Sequence, residues 1–298
     1  MGILGPMVNP GEDKAQEAFR AALGELGYVE GRNLAIEFRG VPPLAVDAAR
    51  LQAVNDLLAA RVDVIVASAT RNAIAARNVT TTTPIVMVNA GDPVEVGLVT
   101  SLEKPGGNVT GISRNATELA IKDLELLLDA LPGCTRVGVL ANPSNPLHPK
   151  MIVGLRRTAR ARQLSRYIGQ VVKAEELPQA ISAMTREKVS GMLVLVDGLF
   201  YINRKLIADL AAAHKVPAIY QSTSFVDAGG LMSYAPDTME NYRVAASYVD
   251  RILKGARPAD LPIQEPPRLE LAVNLRTARA LGITLPPRIM QRADKILD

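Results

Sequence analysis

Polar segments that follow apolar runs carry most of the side chains that could hold a ligand. They are MVNPG at 7–11, SATRN at 68–72, NAGDP at 89–93, NPSNP at 142–146, VDGLF at 196–200 and YQSTSF at 220–225. If each apolar run is a strand of an open parallel sheet, these segments lie beyond the carboxyl ends of the strands, where such sheets bind ligands. Their hydroxyls, amides and carboxylates suit hydrogen bonding to a small organic molecule.

The segment SATRN is suited to holding an anion. An apolar run ends at Ala67 and a helix is expected to start near Arg71, so Ser68 or Thr70 can cap that helix. The amide groups at a helix N-terminus favour an anion such as a carboxylate. Simple capping without a ligand is the alternative, and Arg71 either adds charge attraction or is solvated on the helix.

Two aspartates and two tyrosines also end predicted strands. Asp92 and Asp197 can each pair with an ammonium group or accept from a sugar hydroxyl, or can be turn aspartates that bond their own backbone. Nothing in their spacing supports the paired carboxylates of a glycosidase. Tyr220 and Tyr234 can either stack on a ligand or pack against neighbouring residues.

Residues that perform covalent or metal chemistry are scarce. The 298 residues include two His, one Cys and no Trp, which excludes an internal disulfide, a Cys-x-x-Cys motif and a His-Glu-x-x-His pair. No Walker A motif, Gly-x-Ser-x-Gly elbow or Gly-x-Gly-x-x-Gly after a strand is present. His148 and His214 are expected to be surface or capping residues. We therefore expect no metal, no cofactor and no enzymatic activity.

The charge and hydropathy patterns limit the kinds of partner that the protein is expected to bind. Lys and Arg number 34 against 30 Asp and Glu, and the densest basic stretch runs from Arg156 to Arg166. On one helix those arginines would wrap much of the circumference, and no aromatics interleave with them, so we expect a solvated face and no nucleic-acid binding. No apolar run is long enough to span a membrane, and residues 1–11 lack the pattern of a signal peptide. Membrane association is expected to be peripheral at most.

The elements that position these segments alternate along the chain. Runs such as DVIVAS and MLVLV are apolar without alternation, as in strands covered on both faces. The β-α-β-α rhythm predicts an α/β fold of doubly wound parallel sheets. Among the elements, we predict a strand at 33–38, a helix at 201–214 and a final helix that ends at Asp298.

An internal repeat and the chain length predict two lobes of one topology. The length predicts about two domains. GILGPMVNP at 2–10 resembles VGVLANPSNP at 137–146, and two later strand regions repeat in the same order. KPGGN at 104–108 and SYAPD at 233–237 punctuate the chain where it is expected to leave the first lobe and return to it.

Longer segments resemble a known family. GDPVEVGLVTSLEKPGGNVTGIS at 91–113 is similar to the signature stretch of the ABC transporter substrate-binding protein family, whose characterised relatives bind tryptophan or tyrosine. ELGYVEGRNLAIEFR at 25–39, YVDRILKGARPADLPIQEP at 248–266 and NLRTARALGITLPP at 274–287 resemble it too. The family often has Gly-Thr-Pro where this chain has Ala69-Thr70-Arg71.

The resemblance implies a type I periplasmic binding protein, with two lobes, a hinge of several crossing segments and a ligand cleft. The N-terminal lobe would comprise residues 1–113 and about 236–262, and the C-terminal lobe residues 114–235 and about 263–298. By position, the implied ligand contacts are Asn9, Ser68, Ala69, Thr70, Asn89 and Asp92 in the first lobe, and Asn142, Asp197, Gln221 and Tyr234 in the second lobe or hinge. Thr70 is assigned to a ligand carboxylate and Asp197 to a ligand amine.

The function that the resemblance implies is capture of a small solute. A periplasmic or otherwise extracytoplasmic monomer would bind an amino acid or an aromatic or organic acid by cleft closure and deliver it to an ABC transporter permease. Two alternatives stay open at this point. One is an α/β enzyme of the racemase or sugar-nucleotide type, which needs a nucleophile or base pair. The other is a ligand-sensing domain related to transcription repressors, which share the fold.

Overall fold

A computed structural model describes residues 1–6 and 14–298, which form two units. Unit 1 comprises the described residues of Met1–Asn115 together with Pro236–Arg268, and unit 2 comprises Ala116–Ala235 together with Leu269–Asp298. In chain order the elements are β1 (Gly2–Pro6), α1 (Lys14–Glu25), β2 (Glu37–Val41), α2 (Asp47–Ala59), β3 (Ile65–Ser68), α3 (Thr70–Val79), β4 (Ile85–Ala90), β5 (Val109–Ser113), α4 (Ala116–Ala130), β6 (Arg136–Ala141), α5 (His148–Ala161), β7 (Ser165–Gln170), α6 (Leu177–Arg186), β8 (Gly191–Val194), α7 (Gly198–Ile202), α8 (Arg204–Ala213), β9 (Ala218–Tyr220), α9 (Thr223–Asp227), β10 (Met232–Pro236), α10 (Thr238–Leu253), β11 (Leu269–Asn274), α11 (Leu275–Ala280), α12 (Pro287–Arg292) and β12 (Lys295–Leu297).

Unit 1 is built on a five-stranded sheet with the order β2-β1-β3-β4-β5. Its neighbouring strands are parallel. Val66 faces a buried cluster that α1 and α10 complete, whereas Ile65 faces a second cluster with α2 and α3. Because helices cover both faces, consecutive strand residues are apolar, which explains the runs without alternation.

Unit 2 is built on a seven-stranded sheet with the order β12-β11-β10-β9-β8-β6-β7. Parallel pairing joins β6 to β7 and β8, β9 to β8 and β10, and β11 to β12. Leu140, Met192 and Ile207 belong to a buried cluster on one face. β7 is an edge strand, and one side of its backbone has no neighbouring strand among the described residues.

The predicted α/β fold of parallel sheets in two lobes is confirmed, but three predicted elements differ. The second strand begins at Glu37 rather than at residue 33. The predicted helix 201–214 is two helices, because Asp197 caps an earlier start and the backbone leaves helical geometry at Asn203. The predicted final helix ends at Arg292, and residues 295–297 pair with β11 instead. The Asp294 carboxylate accepts from the Leu271 amide and starts that pairing.

The last passage between the units lies later in the sequence than the expected position near 262. The Ser113 amide donates to the Gln264 carbonyl (2.8 Å), and the Gln264 amide donates to the Gly111 carbonyl (3.0 Å). This short bridge beside β5 holds residues 263–268 in unit 1.

Gly111 allows β5 to lie close to β4 where the register shifts. Its φ is 124°, and a Cβ built there would lie 2.2 Å from the Met87 carbonyl oxygen. The register between the two strands shifts between Met87 and Ala90. Asn89, within that irregularity, has a φ of 57°. The close approach therefore shapes the end of β4, which carries two of the predicted site residues.

Candidate functional site

The turn between β3 and α3 has an unusual backbone at Ala69. Its φ of 70° and ψ of 158° lie in a region that is essentially restricted to glycine. The turn is fixed on both sides, because the Ala69 amide donates to the Val88 carbonyl (2.9 Å) and the Ala69 carbonyl accepts from the Ala73 amide (3.1 Å). The turn thus holds α3 against the end of β4 at the cost of local strain.

The N-terminus of α3 has no side-chain cap, contrary to the expectation that Ser68 or Thr70 supplies one. The N-cap residue is Ala69, which has no polar side chain. The Thr70 hydroxyl oxygen instead accepts from the Gly91 amide (2.9 Å), which links the turn to the loop after β4. The Thr70 O–H has no acceptor among the described residues, so it can donate to a ligand. An uncapped helix N-terminus with an adjacent hydroxyl donor suits a carboxylate.

Positive charge reinforces this edge of unit 1. Arg50 is buried, and its guanidinium donates to the carbonyls of Pro42 and Pro43. Burial lowers the pKa of Arg50, and the nearby charge of Arg71, the second residue of α3, lowers it further. Arg50 is also paired with Asp47 (3.7 Å), so Arg71, in the first turn of α3, is the cation that favours an anion at this helix N-terminus.

The end of β4 places Asn89 and Asp92 beside this turn. The Asn89 side-chain oxygen accepts from Nδ2 of Asn241, a fully buried residue of α10. The Asp92 carbonyl accepts from the amides of Glu95 (3.0 Å) and Val96 (3.2 Å), so its backbone forms a turn. Both residues are half-buried. Asn9, the remaining candidate of this lobe, lies outside the described residues.

In unit 2, Asp197 is held by three neutral donors. Its Oδ1 accepts from the Leu199 amide (2.8 Å), as the cap of α7, and from Nδ2 of Asn142 (3.2 Å). Its Oδ2 accepts from Nδ2 of Asn145 (2.9 Å). Asp197 is half-buried, and none of these donors carries a charge. The three hydrogen bonds therefore fix the orientation of the carboxylate without placing a positive charge beside it.

His148 is buried beneath these loops, whereas a surface or capping position was expected. It lies at the start of α5 and is fully buried. Its Nδ1 accepts from the Asn142 amide (2.8 Å), and its Nε2 lies 3.0 Å from the Val196 carbonyl. These two contacts require a neutral ring with the proton on Nε2. His148 thus connects the loops after β6 and β8. Neither His148 nor Asn145 was predicted from the sequence to be a site residue, although Asn145 lies within NPSNP and His148 follows it closely.

Gln221 forms a hydrogen bond to the loop after β8. Its Oε1 accepts from the Val196 amide (3.1 Å), and its Nε2 donates to the buried carboxylate of Asp123 (2.7 Å). Gln221 is 3% exposed. In this conformation its side chain positions the Val196–Asp197 loop rather than facing solvent.

The two candidate tyrosines differ in exposure. Tyr220 is buried and stacks on Phe225 with a ring separation of 4.5 Å, and burial raises the pKa of its hydroxyl. Tyr220 therefore packs in the core. Tyr234, on β10, is half-buried, so it keeps surface that can contact a ligand.

The described candidate residues other than Tyr234 form one group within each unit. Residues 68–70 and 89–92 meet at neighbouring strand ends of unit 1, and Asn142, Asp197 and Gln221 belong to one hydrogen-bonded set in unit 2. No group of three or more His, Cys, Asp or Glu residues in the described ranges could hold a metal ion. None of the helices at 14–298 is long and apolar enough to cross a membrane.

Two parallel α/β units with polar loops at their strand ends have the architecture expected of a two-lobed ligand-binding protein. The model of the family "ABC transporter substrate binding protein" matches residues 1–297. The chain belongs to this family, as the resemblance predicted. It is therefore a substrate-binding protein of an ABC transporter. The family match favours this class over the α/β enzyme and the repressor-related sensing domain that the sequence left open.

Specific relatives are similar over nearly the whole chain. The "Tyrosine-binding protein" of Clostridioides difficile (strain R20291) is 31% identical over 285 residues, which cover 95% of this chain and 81% of that protein. A conserved domain protein from Vibrio cholerae has a TM-score of 0.90 at 28% identity, covering 99% of this chain and 98% of its own. The crystal structure of an ABC domain in complex with L-Trp from Streptococcus pneumoniae has a TM-score of 0.86 at 26% identity, covering 99% of both chains.

Proposed function

We propose that the protein binds a free aromatic amino acid, L-tyrosine or L-tryptophan, outside the cytoplasm and delivers it to an ABC transporter permease. The observation that carries the proposal is the pair of chemically opposite sites at strand ends. Unit 1 offers an uncapped helix N-terminus with the Thr70 hydroxyl, and unit 2 offers the fixed carboxylate of Asp197. An α-amino acid carries the two complementary charges on one carbon.

The ligands of two relatives support an aromatic amino acid. One is a tyrosine-binding protein and the other was crystallised with L-Trp. This chain has no Trp, so an aromatic ring would contact a tyrosine or phenylalanine, and the half-buried Tyr234 is the candidate, although it lies in the middle of β10 rather than at the strand end expected from the sequence. Offset or edge contact between two rings contributes about 0.5–1.5 kcal/mol beyond burial.

The proposed mechanism is a shift between open and closed arrangements of the two lobes. A ligand moves such an equilibrium only if it binds one arrangement better than the other. An amino acid whose carboxylate is bound by one unit and whose ammonium is bound by the other gains both contacts only in the closed arrangement. Closure would then be the signal that the permease reads.

The test combines two variants with ligands that lack one charge each. L-Tyrosine, tyramine (no carboxylate) and 3-(4-hydroxyphenyl)propionate (no amine) are titrated calorimetrically, the weaker two in competition with L-tyrosine. Thr70→Val should weaken L-tyrosine about 10-fold or more, since a hydrogen bond to a charged group contributes about 1.5–3 kcal/mol. It should leave tyramine unchanged, and Thr70→Ser should restore binding. Asp197→Asn should weaken L-tyrosine and leave the amine-free acid unchanged.

A matched control separates the ligand role of Asp197 from its capping role. Asp237 caps α10 by accepting from the amides of Met239 and Glu240, and it is not a proposed ligand contact. Asp237→Asn should therefore leave L-tyrosine affinity unchanged. Loss of affinity in both aspartate variants would reflect a general structural effect and remove Asp197 from the site. Failure of wild-type protein to bind any aromatic amino acid would refute the proposed function.

A further inference from the structure

The basic stretch after residue 155 is exposed to solvent, as expected from the sequence, but it lines a shallow surface depression instead of encircling one helix. α5 ends at Ala161, and the chain turns back into β7, so the last arginine lies on the strand. A surface depression of about 740 Å³ is lined by Arg156, Arg157, Arg160, Ala161, Gln163, Leu164 and Arg166. We call its four arginines, at 156, 157, 160 and 166, the arginine patch.

The arginine patch has no acidic partner among the described residues. Four other arginines of unit 2 are paired with carboxylates, namely Arg136 with Glu187, Arg162 with Glu125, Arg279 with Asp298 and Arg288 with Asp129. All four side chains of the patch are exposed. The depression therefore brings four positive charges together with no carboxylate in its lining.

Helix electrostatics accounts for only part of this arrangement. Arg160 lies in the last turn of α5, where a cation interacts favourably with the helix dipole. Arg156 and Arg160 are four positions apart, and like charges at that spacing destabilise a helix. Arg166 is on β7 and gains nothing from the dipole. The unpaired charge therefore opposes folding slightly, unless an anion binds to it.

The guanidinium groups of the arginine patch are suited to binding phosphoryl groups. Guanidinium forks bind phosphate oxygens in a bidentate manner, and four of them balance about two phosphoryl groups of charge −1.5 to −2 each. The depression has no aromatic side chain in its lining, which disfavours the base stacking that single-stranded nucleic acids use. We propose that unit 2 carries a second binding site, for a molecule with clustered phosphoryl groups, either free in solution or displayed as a lipid headgroup.

This second site is separate from the amino-acid site. Arg160 lies twelve residues after His148 on the same helix, which corresponds to about 18 Å at the helical rise. His148 adjoins the Asn142 and Asp197 loops. Arg156 borders a depression that also includes His148, so the separation rests on Arg157 and Arg160, toward the C-terminal end of α5, and on Arg166 of β7. The two sites can therefore be perturbed independently, and the proposal does not depend on which solute the protein carries.

The probes are inorganic pyrophosphate, measured by calorimetry, and vesicles of phosphatidylcholine with or without phosphatidylglycerol, measured by sedimentation. The patch variant is Arg157→Gln with Arg160→Gln. The control is Arg32→Gln with Arg77→Gln, which removes the same charge from two exposed arginines of unit 1. We expect wild type and control to bind at least one probe and the patch variant to bind it at least tenfold more weakly. L-Tyrosine affinity should be the same in all three proteins.

The outcomes distinguish the sources and can overturn the proposal. Binding of pyrophosphate alone identifies a free phosphorylated ligand, and binding of anionic vesicles without pyrophosphate identifies a headgroup; either supports the site. If neither probe binds, or if the patch and control variants lose affinity equally, the proposal is wrong. A DNA duplex is titrated as a third probe, and the proposal is also wrong if the duplex alone binds. Arg160 and Arg77 each lie in the last turn of a helix, so the patch and control variants lose the same kind of dipole interaction and should unfold at similar temperatures. A difference in binding between them is therefore not explained by misfolding.

Discussion

Replacing Ala69 by glycine should stabilise the protein. Ala69 has a φ of 70° and a ψ of 158°, a combination that its Cβ makes unfavourable. The residue is exposed, so its methyl group contributes little buried surface. Its backbone hydrogen bonds to Val88 and Ala73 do not involve the side chain, so glycine keeps them. The substitution therefore removes strain without removing a contact.

The expected magnitude is the difference between two opposing effects. A non-glycine residue in this region is strained by about 1–3 kcal/mol. Glycine loses about 0.5–1 kcal/mol more conformational free energy on folding than alanine does. The balance is a stabilisation of about 1 kcal/mol, which corresponds to a rise in Tm of about 2–4 °C for a domain of this size.

Thermal and urea denaturation of Ala69→Gly and Ala73→Gly provide a matched test. Ala73 lies inside α3 and is fully buried, so the same substitution there should destabilise the protein by about 1 kcal/mol or more. Two identical changes four residues apart should thus shift the free energy of unfolding in opposite directions. If Ala69→Gly destabilises the protein as Ala73→Gly does, the backbone at Ala69 is not strained and the reasoning fails.

Other substitutions test the packing of each unit. Gly111→Ala should unfold unit 1 or cost more than about 3 kcal/mol, because its Cβ would meet the Met87 carbonyl oxygen and its φ is positive; a stable variant by urea denaturation would contradict this. Ser233→Ala should raise the free energy of unfolding by about 1 kcal/mol, since the Ser233 hydroxyl is fully buried without a hydrogen-bond partner in the described part of the chain; a loss of stability would indicate an undetected partner. The Lys254 side chain, followed by the Tyr28 hydroxyl, lowers the pKa of Asp250, so this carboxylate stabilises the fold above its unfolded pKa of about 3.9 and the contribution is lost as the pH falls through the folded pKa. Asp250→Asn should therefore be less stable than wild type at pH 7 and lose less stability below about pH 4, and parallel pH profiles of the two proteins would exclude this linkage.

The fold was predictable because its signals are local. Non-alternating apolar runs indicated strands covered on both faces, and the structure places Val66 and Ile65 on opposite faces of a helix-covered sheet. The errors fall where tertiary contacts override local pattern. Residues 295–297 resemble the end of a helix in sequence but pair with β11, because the Asp294 carboxylate and the strand edge are available there.

The loops that carry the candidate site were predictable from the sequence, but the role of each residue in them was not. The rule that ligands bind beyond strand ends selected 68–72, 89–93 and 142–146, and hydrogen bonds join members of these loops within each unit. The capping role of Ser68 or Thr70 was wrong, because the backbone turn makes Ala69 the N-cap. His148 was missed because its burial depends on how two loops pack, which no local pattern encodes. Whether the named residues contact a ligand stays a prediction.

The hydrogen bonds of Asp197 are compatible with binding an ammonium group. A carboxylate has about four lone-pair sites, and among the described residues three donors occupy them, namely Leu199, Asn142 and Asn145. One site is left for a ligand, and because all three donors are neutral, none of them competes with an ammonium group as a positive charge. Fixing the carboxylate before the ligand arrives reduces the entropy lost on binding. Alanine at position 197 would remove the cap of α7 as well as the charge. A loss of ligand affinity could then not be separated from a loss of folding stability. Asparagine keeps an oxygen for the Leu199 amide and removes the charge, so it preserves the cap of α7 and loses only the hydrogen bond from Asn145, whose Nδ2 would then meet another donor.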